Sequence, residues 1–216
     1  YSHYVDFIRD RIAGKPVIQN GMKGEVERCL SALEAALAGQ NVCMVCSGDP
    51  GILAMAGLLY ELRAREPRFG DIPIRVLPGI TAATIAAASL GAPLQNGFSL
   101  VSLSDLLVSA DEVRRNIRSV AQSLLPVALY NPAGRKRRDL LEETLAVFRE
   151  HRGRDVLCAY VKNAGREQET KWVGKLSEFP AAEVDMSTLI IIGGPRTRLD
   201  SGVLYEPRGY VEKYME

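Results

Sequence analysis

The sequence predicts an α/β fold built of two lobes. Short apolar runs of strand length alternate with helical patterns along the first part of the chain, which is typical of a mainly parallel sheet covered by helices. After Lys162 the pattern changes to closely spaced strands with turn residues between them. We therefore expect an N-terminal lobe with a mainly parallel sheet at residues 1–104 and a C-terminal lobe with a mixed sheet at residues 105–216.

Apolar runs bounded by turn residues predict the strands of both sheets. In chain order these runs are Pro16–Gln19, Val42–Ser47, Ile74–Leu77, Phe98–Ser102, Val127–Tyr130, Val156–Val161, Thr170–Gly174 and Thr188–Gly193.

Helical patterns fill the gaps between these runs. The clearest spans Gly24–Ala38, where apolar residues recur at helical spacing and Gly39 marks the end. Further helices are predicted at Ile52–Leu62, in the alanine-rich stretch after Thr81, and at Asp111–Leu125. Because a helical pattern follows Tyr1 almost at once, we expect the N-terminal lobe to lack the strand with which such lobes usually begin.

Composition and charge exclude several classes of partner. The chain has 216 residues, with Lys+Arg 27 against Asp+Glu 26, so no global field attracts it to nucleic acid or to an anionic membrane. The longest apolar runs are far shorter than the roughly 20 residues that cross a bilayer. The stretch Tyr1–Arg11 is charged throughout and does not resemble a signal peptide. We expect a cytosolic protein without disulfides.

The cysteines are Cys29, Cys43, Cys46 and Cys158, and one pair has the Cys-x-x-Cys spacing that can bind zinc or carry redox chemistry. Cys43 and Cys46 lie in an apolar run, where the period of a strand places them on opposite faces. No second pair of ligands follows. We therefore expect small core side chains here and no metal site.

The segment Ser47-Gly48-Asp49-Pro50-Gly51 lies between a predicted strand and a predicted helix. Ligands of open α/β sheets bind at the carboxyl ends of strands, where loop backbone is free to meet them. Gly48 and Gly51 allow close backbone approach, and the Asp49 carboxylate accepts hydrogen bonds. The alternative is an ordinary turn in which Asp49 caps the next helix.

Other strand ends carry polar or small residues in the same way. Leu77-Pro78-Gly79-Ile80-Thr81-Ala82 follows one strand, and Thr81 either contacts a ligand or caps the helix after it. The alanines of that helix leave room for something to pack beside it. Asn131-Pro132 and Asn163-Ala164-Gly165-Arg166 follow two later strands. Taken singly, each of these segments is only a turn.

Taken together and in this order, the segments resemble the tetrapyrrole methylase family. The resemblance covers nearly the whole chain and includes Gly48-Asp49-Pro50, Leu77–Ala82, Asn163–Arg166 and Ile190–Gly194. It implies a two-lobed fold, a tetrapyrrole substrate, S-adenosylmethionine as methyl donor in the cleft between the lobes, and a homodimer. The implied donor contacts are Ser47, Gly48, Asp49, Ile52, Thr81, Ala82, Asn131 and Ala164.

Three segments, Ser99–Leu107, Ala128–Pro132 and Lys162–Glu167, are similar to the subgroup that methylates a corrin precursor at carbon 17 with ring contraction, in cobalamin biosynthesis. The alternatives are a sibling methylase that acts at another ring carbon and a binding protein without turnover. Methyl transfer needs mainly alignment of donor and acceptor, so neither His3 nor His151 is required, and we expect both to be surface residues.

Ring contraction requires proton transfer beside the macrocycle, and Asp105 and Ser104 are the candidate catalytic residues. They equally fit a helix cap or a hydrogen bond between lobes. The acidic side chains of the substrate call for cationic donors. Arg135 and Arg138, in the basic run 135–138, and Arg166 are the candidates, and a solvated helix start is the alternative for the run.

Overall fold

The computed structural model describes residues 1–133 and 138–215, except the side chain of Arg138. They form two compact units, Tyr1–Thr81 and Ala82–Glu216. The predicted α/β fold class is confirmed. The predicted lobes, 1–104 and 105–216, stay a prediction.

The first unit is built of helices and connecting segments. Its helices are α1 (Ser2–Phe7), α2 (Glu25–Leu37) and α3 (Ala56–Arg65), with short 3₁₀ turns at Arg9–Arg11 and Pro67–Phe69. Helix α2 confirms the clearest helical pattern, with Gly24 at its start and Gly39 at φ +82° just after its end. Cys29 and Leu33 are the buried apolar side chains of α2.

The strands predicted at 16–19, 42–47 and 74–77 are wrong, because these segments, all in the described range 1–133, pair with no strand. An apolar run gives a local preference, whereas a strand needs a hydrogen-bonding neighbour. The expectation of core cysteines fails with them, since Cys43 is exposed and Cys46 half-buried. The helix predicted at 52–62 begins later, at Ala56, after a series of bends.

The second unit contains both sheets and the remaining helices. In chain order its elements are α4 (Ala82–Leu90), β1 (Gly91–Ala92), β2 (Ser99–Ser102), α5 (Ala110–Gln122), β3 (Val127–Tyr130), α6 (Arg138–Arg152), β4 (Leu157–Lys162), β5 (Thr170–Lys175), β6 (Thr188–Ile192), β7 (Arg198–Asp200), β8 (Val203–Tyr205) and α7 (Tyr210–Tyr214). Short 3₁₀ turns lie at Leu176–Glu178 and Ala181–Glu183. All five strands predicted after residue 97 are confirmed to within a residue or so of their ends.

The larger sheet has the strand order β2-β3-β6-β4-β5. β2 and β3 are parallel, and the other neighbours are antiparallel. The smaller sheet, β1-β8-β7, is also mixed. In the larger sheet β2, β3 and β4 run in the same direction, so their carboxyl ends, Ser102, Tyr130 and Lys162, share one edge, which we name the carboxyl edge.

Helices cover both faces of the larger sheet. Strand residues alternate between two apolar clusters, as the period of a strand requires. Ile190 and Ile192 pack with α5 and α6, whereas Leu189 and Ile191 pack with α4. Close packing explains three alanines of α4, since Ala83, Ala86 and Ala87 are buried in the cluster that contains the sheet alanines Ala128 and Ala159. The core fixes α4 beside the carboxyl edge.

Candidate functional site

In the first unit the structure brings two turns together. The carboxylate of Asp49 accepts one hydrogen bond from the Gly51 amide (Oδ1, 2.8 Å) and one from the Gly79 amide (Oδ2, 3.0 Å). Asp49 does not cap α3, whose N-cap is Met55, so the capping alternative is wrong. The carboxylate instead ties the turn after residue 47 to the turn after residue 77.

Backbone packing reinforces that tie. A Cβ atom at Gly79 would lie 2.1 Å from the carbonyl oxygen of Gly48, a distance that no side chain tolerates. Gly48 has φ +75°, in the left-handed region that favours glycine. The Cα atom of Thr81 lies 3.8 Å from the position that a Cβ of Gly48 would take. The predicted residues Gly48, Asp49 and Thr81 are therefore neighbours, and Gly79 is a member of the group that sequence reasoning did not assign.

The other residues predicted near these turns do not bond to the Asp49 carboxylate in the hydrogen bonds described above. Ile52 is partly exposed and follows the turn, with its amide donating to the Asp49 carbonyl oxygen (3.2 Å). Ser47 precedes Gly48 in the chain and is exposed. Thr81 is buried, which sets it apart from its exposed neighbour Ile80.

In the second unit, polar side chains gather at the carboxyl edge. Asn131 donates from Nδ2 to Ser102 Oγ (2.9 Å), which also accepts from the Ser104 amide (3.2 Å). Asn131 and Asn163 adopt φ +52° and +53°, a left-handed conformation that asparagine tolerates better than most residues. Each asparagine directly follows its strand, so both turns reverse the chain at the same edge.

Ser104 and Asp105 lie on the segment that leaves β2 at this edge. Ser109 caps α5, its Oγ accepting from the Glu112 amide (3.2 Å), so the helix-cap alternative for Ser104 and Asp105 is wrong. Asp105 is exposed and Ser104 half-buried. Their catalytic role stays a prediction.

The predicted cationic residues divide into two groups. Arg166 is exposed in the turn after β4, where its amide donates to the Asn163 carbonyl oxygen (3.0 Å). Arg135 and the side chain of Arg138 lie outside the described residues. Ala164 is half-buried and packs against the apolar cluster under α4. Ala82 is the first residue of α4 and packs against the same cluster.

Sequence reasoning missed three polar contacts at the carboxyl edge. Tyr130 accepts a hydrogen bond on its hydroxyl from the Ala83 amide (2.7 Å), Glu169 accepts from the Gly165 amide (2.6 Å), and Lys162 pairs with Asp185 (2.5 Å). Tyr130 and Lys162 stand in the motif segments, so position at a strand end was an available signal for them. Glu169 gave no such signal, because it lies outside the motif segments and its other partner, Ser89, is 80 residues away.

Asp185 is the most strongly perturbed carboxyl group at this edge. Burial by itself raises the pKa of Asp185, but hydrogen bonds from Lys162, Ser187 and Thr188 outweigh it and lower the pKa from 3.8 to about 2. The charged form thus stabilises the fold. This contribution is complete above the ordinary pKa and is lost as the pH falls through the folded value.

We expect Asp185→Asn to lower the free energy of unfolding at pH 7 by about 1 kcal/mol or less, since the pair is partly solvated. The difference from wild type should shrink as the pH falls below about 4 and vanish near the folded pKa. Urea unfolding at a series of pH values measures it. A difference that stays constant down to pH values near 2 contradicts the assignment.

The profile of the family described as Tetrapyrrole (Corrin/Porphyrin) Methylases matches residues 3–180. The chain belongs to the tetrapyrrole methylase family. A probable cobalt-factor III C(17)-methyltransferase of Salmonella typhimurium is 37% identical to this chain, over 97% of the chain and 86% of the relative. A precorrin-3B C(17)-methyltransferase of Sinorhizobium sp. is 36% identical over 86% of the chain and 76% of the relative.

The fold of this tetrapyrrole methylase is also similar to that of a solved structure. The crystal structure of the methyltransferase CobJ superposes with a TM-score of 0.86 at 32% identity, over 96% of this chain and 86% of that one. The α/β fold of the family, expected from the sequence, is confirmed. In the part of the chain that the structure describes, no helix has the length and apolar character to cross a membrane.

Proposed function

We propose that this chain is a C17-methyltransferase of cobalamin biosynthesis that uses S-adenosylmethionine. Its substrate is precorrin-3B or the cobalt form, and its product is the ring-contracted precorrin-4 form. The observation that carries the proposal is identity of 37% and 36%, over most of the chain, to relatives named for methylation at carbon 17. The fit to CobJ extends this similarity to the fold.

The proposed donor contacts fall on both units, and the geometry within each unit supports them. In the first unit they are Ser47, Gly48, Asp49, Ile52 and Thr81, and in the second Ala82, Asn131 and Ala164. Gly48 offers backbone without a side chain, at a turn that Asp49 holds in place. Backbone amides and carbonyl groups at such turns match a donor that carries hydroxyl, ammonium and carboxylate groups.

When bound, the donor supplies an electrophilic methyl group, for which an electron-rich ring carbon is the nucleophile. The residues of this chain then serve mainly to hold donor and acceptor in line, which accelerates a reaction without a strong base. For ring contraction we propose Asp105 and Ser104 as the proton-transfer residues. The Ser104 amide and Asn131 both donate to the Ser102 hydroxyl at the carboxyl edge, and Asp105 is the next residue of the chain.

For the acidic periphery of the substrate we propose Arg135, Arg138 and Arg166. Arginine binds carboxylates through two parallel hydrogen bonds, which gives orientation as well as affinity. Arg166 supports this role by its exposure in the turn after β4. We also propose that the protein is a cytosolic homodimer. Light scattering of the purified protein would measure its oligomeric state.

Incubation with S-adenosylmethionine labelled in the methyl group and with precorrin-3B, or its cobalt form, tests the function. Label at carbon 17 of a ring-contracted product is the expected result. Label at another ring carbon would instead identify a sibling methylase, and binding of both ligands without transfer would identify a protein without turnover. The Asp105→Asn variant is expected to slow product formation while its affinity for the donor stays close to that of wild type.

Asp49→Ala is expected to weaken binding of S-adenosylhomocysteine about tenfold, because the tie between the two turns and a proposed donor contact are lost together. The free energy of unfolding should change much less, by about 0.5 kcal/mol, since the hydrogen bonds are exposed to solvent. Titration calorimetry and urea unfolding measure the two effects.

The matched control is Asp71→Ala, an exposed aspartate of the same unit. It should leave both quantities unchanged. Asp49→Asn is the finer test, because its amide oxygen replaces one carboxylate acceptor while its NH₂ group cannot accept from the other backbone amide. Equal affinity in Asp49→Ala and wild type would remove Asp49 from the site.

A further inference from the structure

Helix α4 is held at both ends by side chains of the second unit. Near its start, the Ala83 amide donates to the Tyr130 hydroxyl (2.7 Å). Near its end, Ser89 Oγ donates to Glu169 Oε1 (2.5 Å), and Lys171 Nζ donates to the Ser89 carbonyl oxygen (2.5 Å). Glu169 lies on the segment that connects β4 to β5, and Lys171 lies on β5. Their hydrogen bonds to Ser89 therefore hold this connection against the helix.

The second carboxylate oxygen of Glu169 reaches the turn after β4. The Gly165 amide donates to Glu169 Oε2 (2.6 Å). Gly165 has φ +74°, and a Cβ atom there would lie 2.9 Å from Cγ2 of Ile85 on α4. The turn therefore lies against α4 with no room for a side chain, and one carboxylate bridges turn and helix.

The electrostatics agree with this geometry. The hydrogen bond from Ser89, followed by the one from the Gly165 amide, lowers the pKa of Glu169 below its usual range. The carboxylate is thus charged at neutral pH, with each oxygen accepting from a different segment. Hydrogen bonds to a charged acceptor are stronger than neutral ones, so the bridge resists displacement of the turn.

We propose that Glu169 is a positioning residue that sets the place of the Asn163–Gly165 turn against α4 for binding of the methyl donor. The proposal rests on the proposed function, because Ala164 and Ala82 are proposed donor contacts on the two segments that Glu169 joins. Glu169 acts through the backbone of Gly165 and not by touching the donor. It is absent from the family motifs on which the donor contacts rest.

Glu169→Ala is expected to weaken binding of S-adenosylhomocysteine, and to raise KM for the donor, about tenfold. Glu169→Gln should stay within about twofold of wild type, because its amide oxygen can accept from Gly165 and its NH₂ group can donate to Ser89 Oγ. KM for the tetrapyrrole should rise as well in Glu169→Ala, because Arg166, a proposed substrate contact, belongs to the same turn, and should stay near the wild-type value in Glu169→Gln. A general loss of folding would instead lower the active fraction and leave both KM values unchanged.

Gln168→Ala is the matched control, because Gln168 is an exposed polar residue of the same turn and lies outside the motif segments. It should behave as wild type. Ser89→Ala removes one of the two hydrogen bonds to Glu169 and should give an intermediate loss of affinity for S-adenosylhomocysteine. It replaces Glu169→Ala as the test if that variant does not fold. Hydrogen exchange at the Gly165 amide should accelerate in Glu169→Ala and not in Glu169→Gln.

If wild type and Glu169→Ala bind S-adenosylhomocysteine with equal affinity, the positioning role is overturned and the proposed function still stands. Unchanged exchange at Gly165 would overturn it too. Wild-type protein that does not bind S-adenosylhomocysteine would overturn the proposed donor, and the positioning role with it.

Discussion

Arg152→Ala should lower the free energy of unfolding by about 3 kcal/mol, which corresponds to a melting temperature about 6–12 °C lower for a chain of this size. Arg152 is the last residue of α6, and its guanidinium donates to backbone carbonyl groups of two other elements. The acceptors are Val120 (2.6 Å), Ala121 (3.0 Å), Ser123 (3.0 Å) and Gly193 (2.9 Å). The side chain thus joins α6 to the end of α5 and to the turn after β6.

The size of the effect follows from what the carbonyl groups lose. The last carbonyl groups of a helix have no partner within the helix, and here Arg152 donates to those of Val120 and Ala121. The Val120 carbonyl also accepts from the amide and hydroxyl of Ser123. Removing Arg152 takes the arginine donor from the carbonyl groups of Ala121, Ser123 and Gly193 in a part-buried setting, at a cost of about 1–3 kcal/mol each when water does not replace it. Burial also lowers the pKa of Arg152 to about 10, yet the group remains charged at neutral pH.

Two substitutions separate these bonds from simple bulk. Arg152→Met keeps the packing against Phe148, whose ring centroid lies 4.9 Å from the guanidinium carbon, but loses every donor. It should be nearly as destabilised as Arg152→Ala. Arg154→Ala, at an exposed arginine nearby, should change the free energy of unfolding by less than about 0.5 kcal/mol. Equal stability of the Arg152 and Arg154 variants would contradict this role.

The sequence predicts the larger sheet of the second unit well, because its strands are bounded by turn residues and the central ones, β3, β4 and β6, are largely buried. The short strands β1, β7 and β8 were not predicted. Val127–Tyr130 and the run that becomes β6 match the structure closely. The helix in Asp111–Leu125 begins and ends within a few residues of the predicted limits, since its apolar face and the cap at Ser109 are local signals. Parallel or antiparallel pairing is a non-local property, so strand order could not be read from these runs.

Prediction fails in the first unit for the same physical reason. The run Val42–Ser47 has the composition of a buried strand, but composition does not supply a neighbour with which to pair. The ends of α3 shifted as well, because bends after Pro50 take the residues expected to begin the helix. Local patterns predict helices more securely than strands, since each helix closes its own hydrogen bonds.

The candidate site was predicted in part. The turn at Gly48 and Asp49 was found from its position after an apolar run and from its glycines, and the structure joins it to Thr81. The partner of Asp49, the Gly79 amide, could not be found this way, because a backbone donor 30 residues away leaves no mark in composition. The contact between Glu169 and Ser89 could not be predicted either, because the two residues are 80 positions apart in the chain.

Gly79→Ala is expected to weaken binding of S-adenosylhomocysteine about a hundredfold, the size of effect that a displacement of about 1 Å in a site can produce. The added Cβ atom would lie 2.1 Å from the carbonyl oxygen of Gly48 and 3.0 Å from its carbonyl carbon. Both are backbone atoms, which cannot rotate away as a side chain could. The turn after residue 77 must therefore separate from the Gly48 turn.

Separation of the turns also breaks the hydrogen bond from the Gly79 amide to Asp49. Gly79→Ala should for this reason exceed Asp49→Ala in its effect, since it moves the Gly48 backbone itself and not only its anchor. The two substitutions share that hydrogen bond, so their losses in the double variant should be smaller than the sum of the single losses. Titration calorimetry on the two single variants and the double variant measures the coupling.

Gly57→Ala is the control, because this glycine lies in α3 and an added Cβ meets no atom within 4 Å. An alanine inside a helix should, if anything, raise stability slightly and leave the affinity unchanged. Gly79→Ala that binds S-adenosylhomocysteine as tightly as Gly57→Ala does would show that donor binding does not depend on the contact between the two turns. The proposed donor contacts of the first unit would then have to be abandoned, because that contact is the geometry on which they rest.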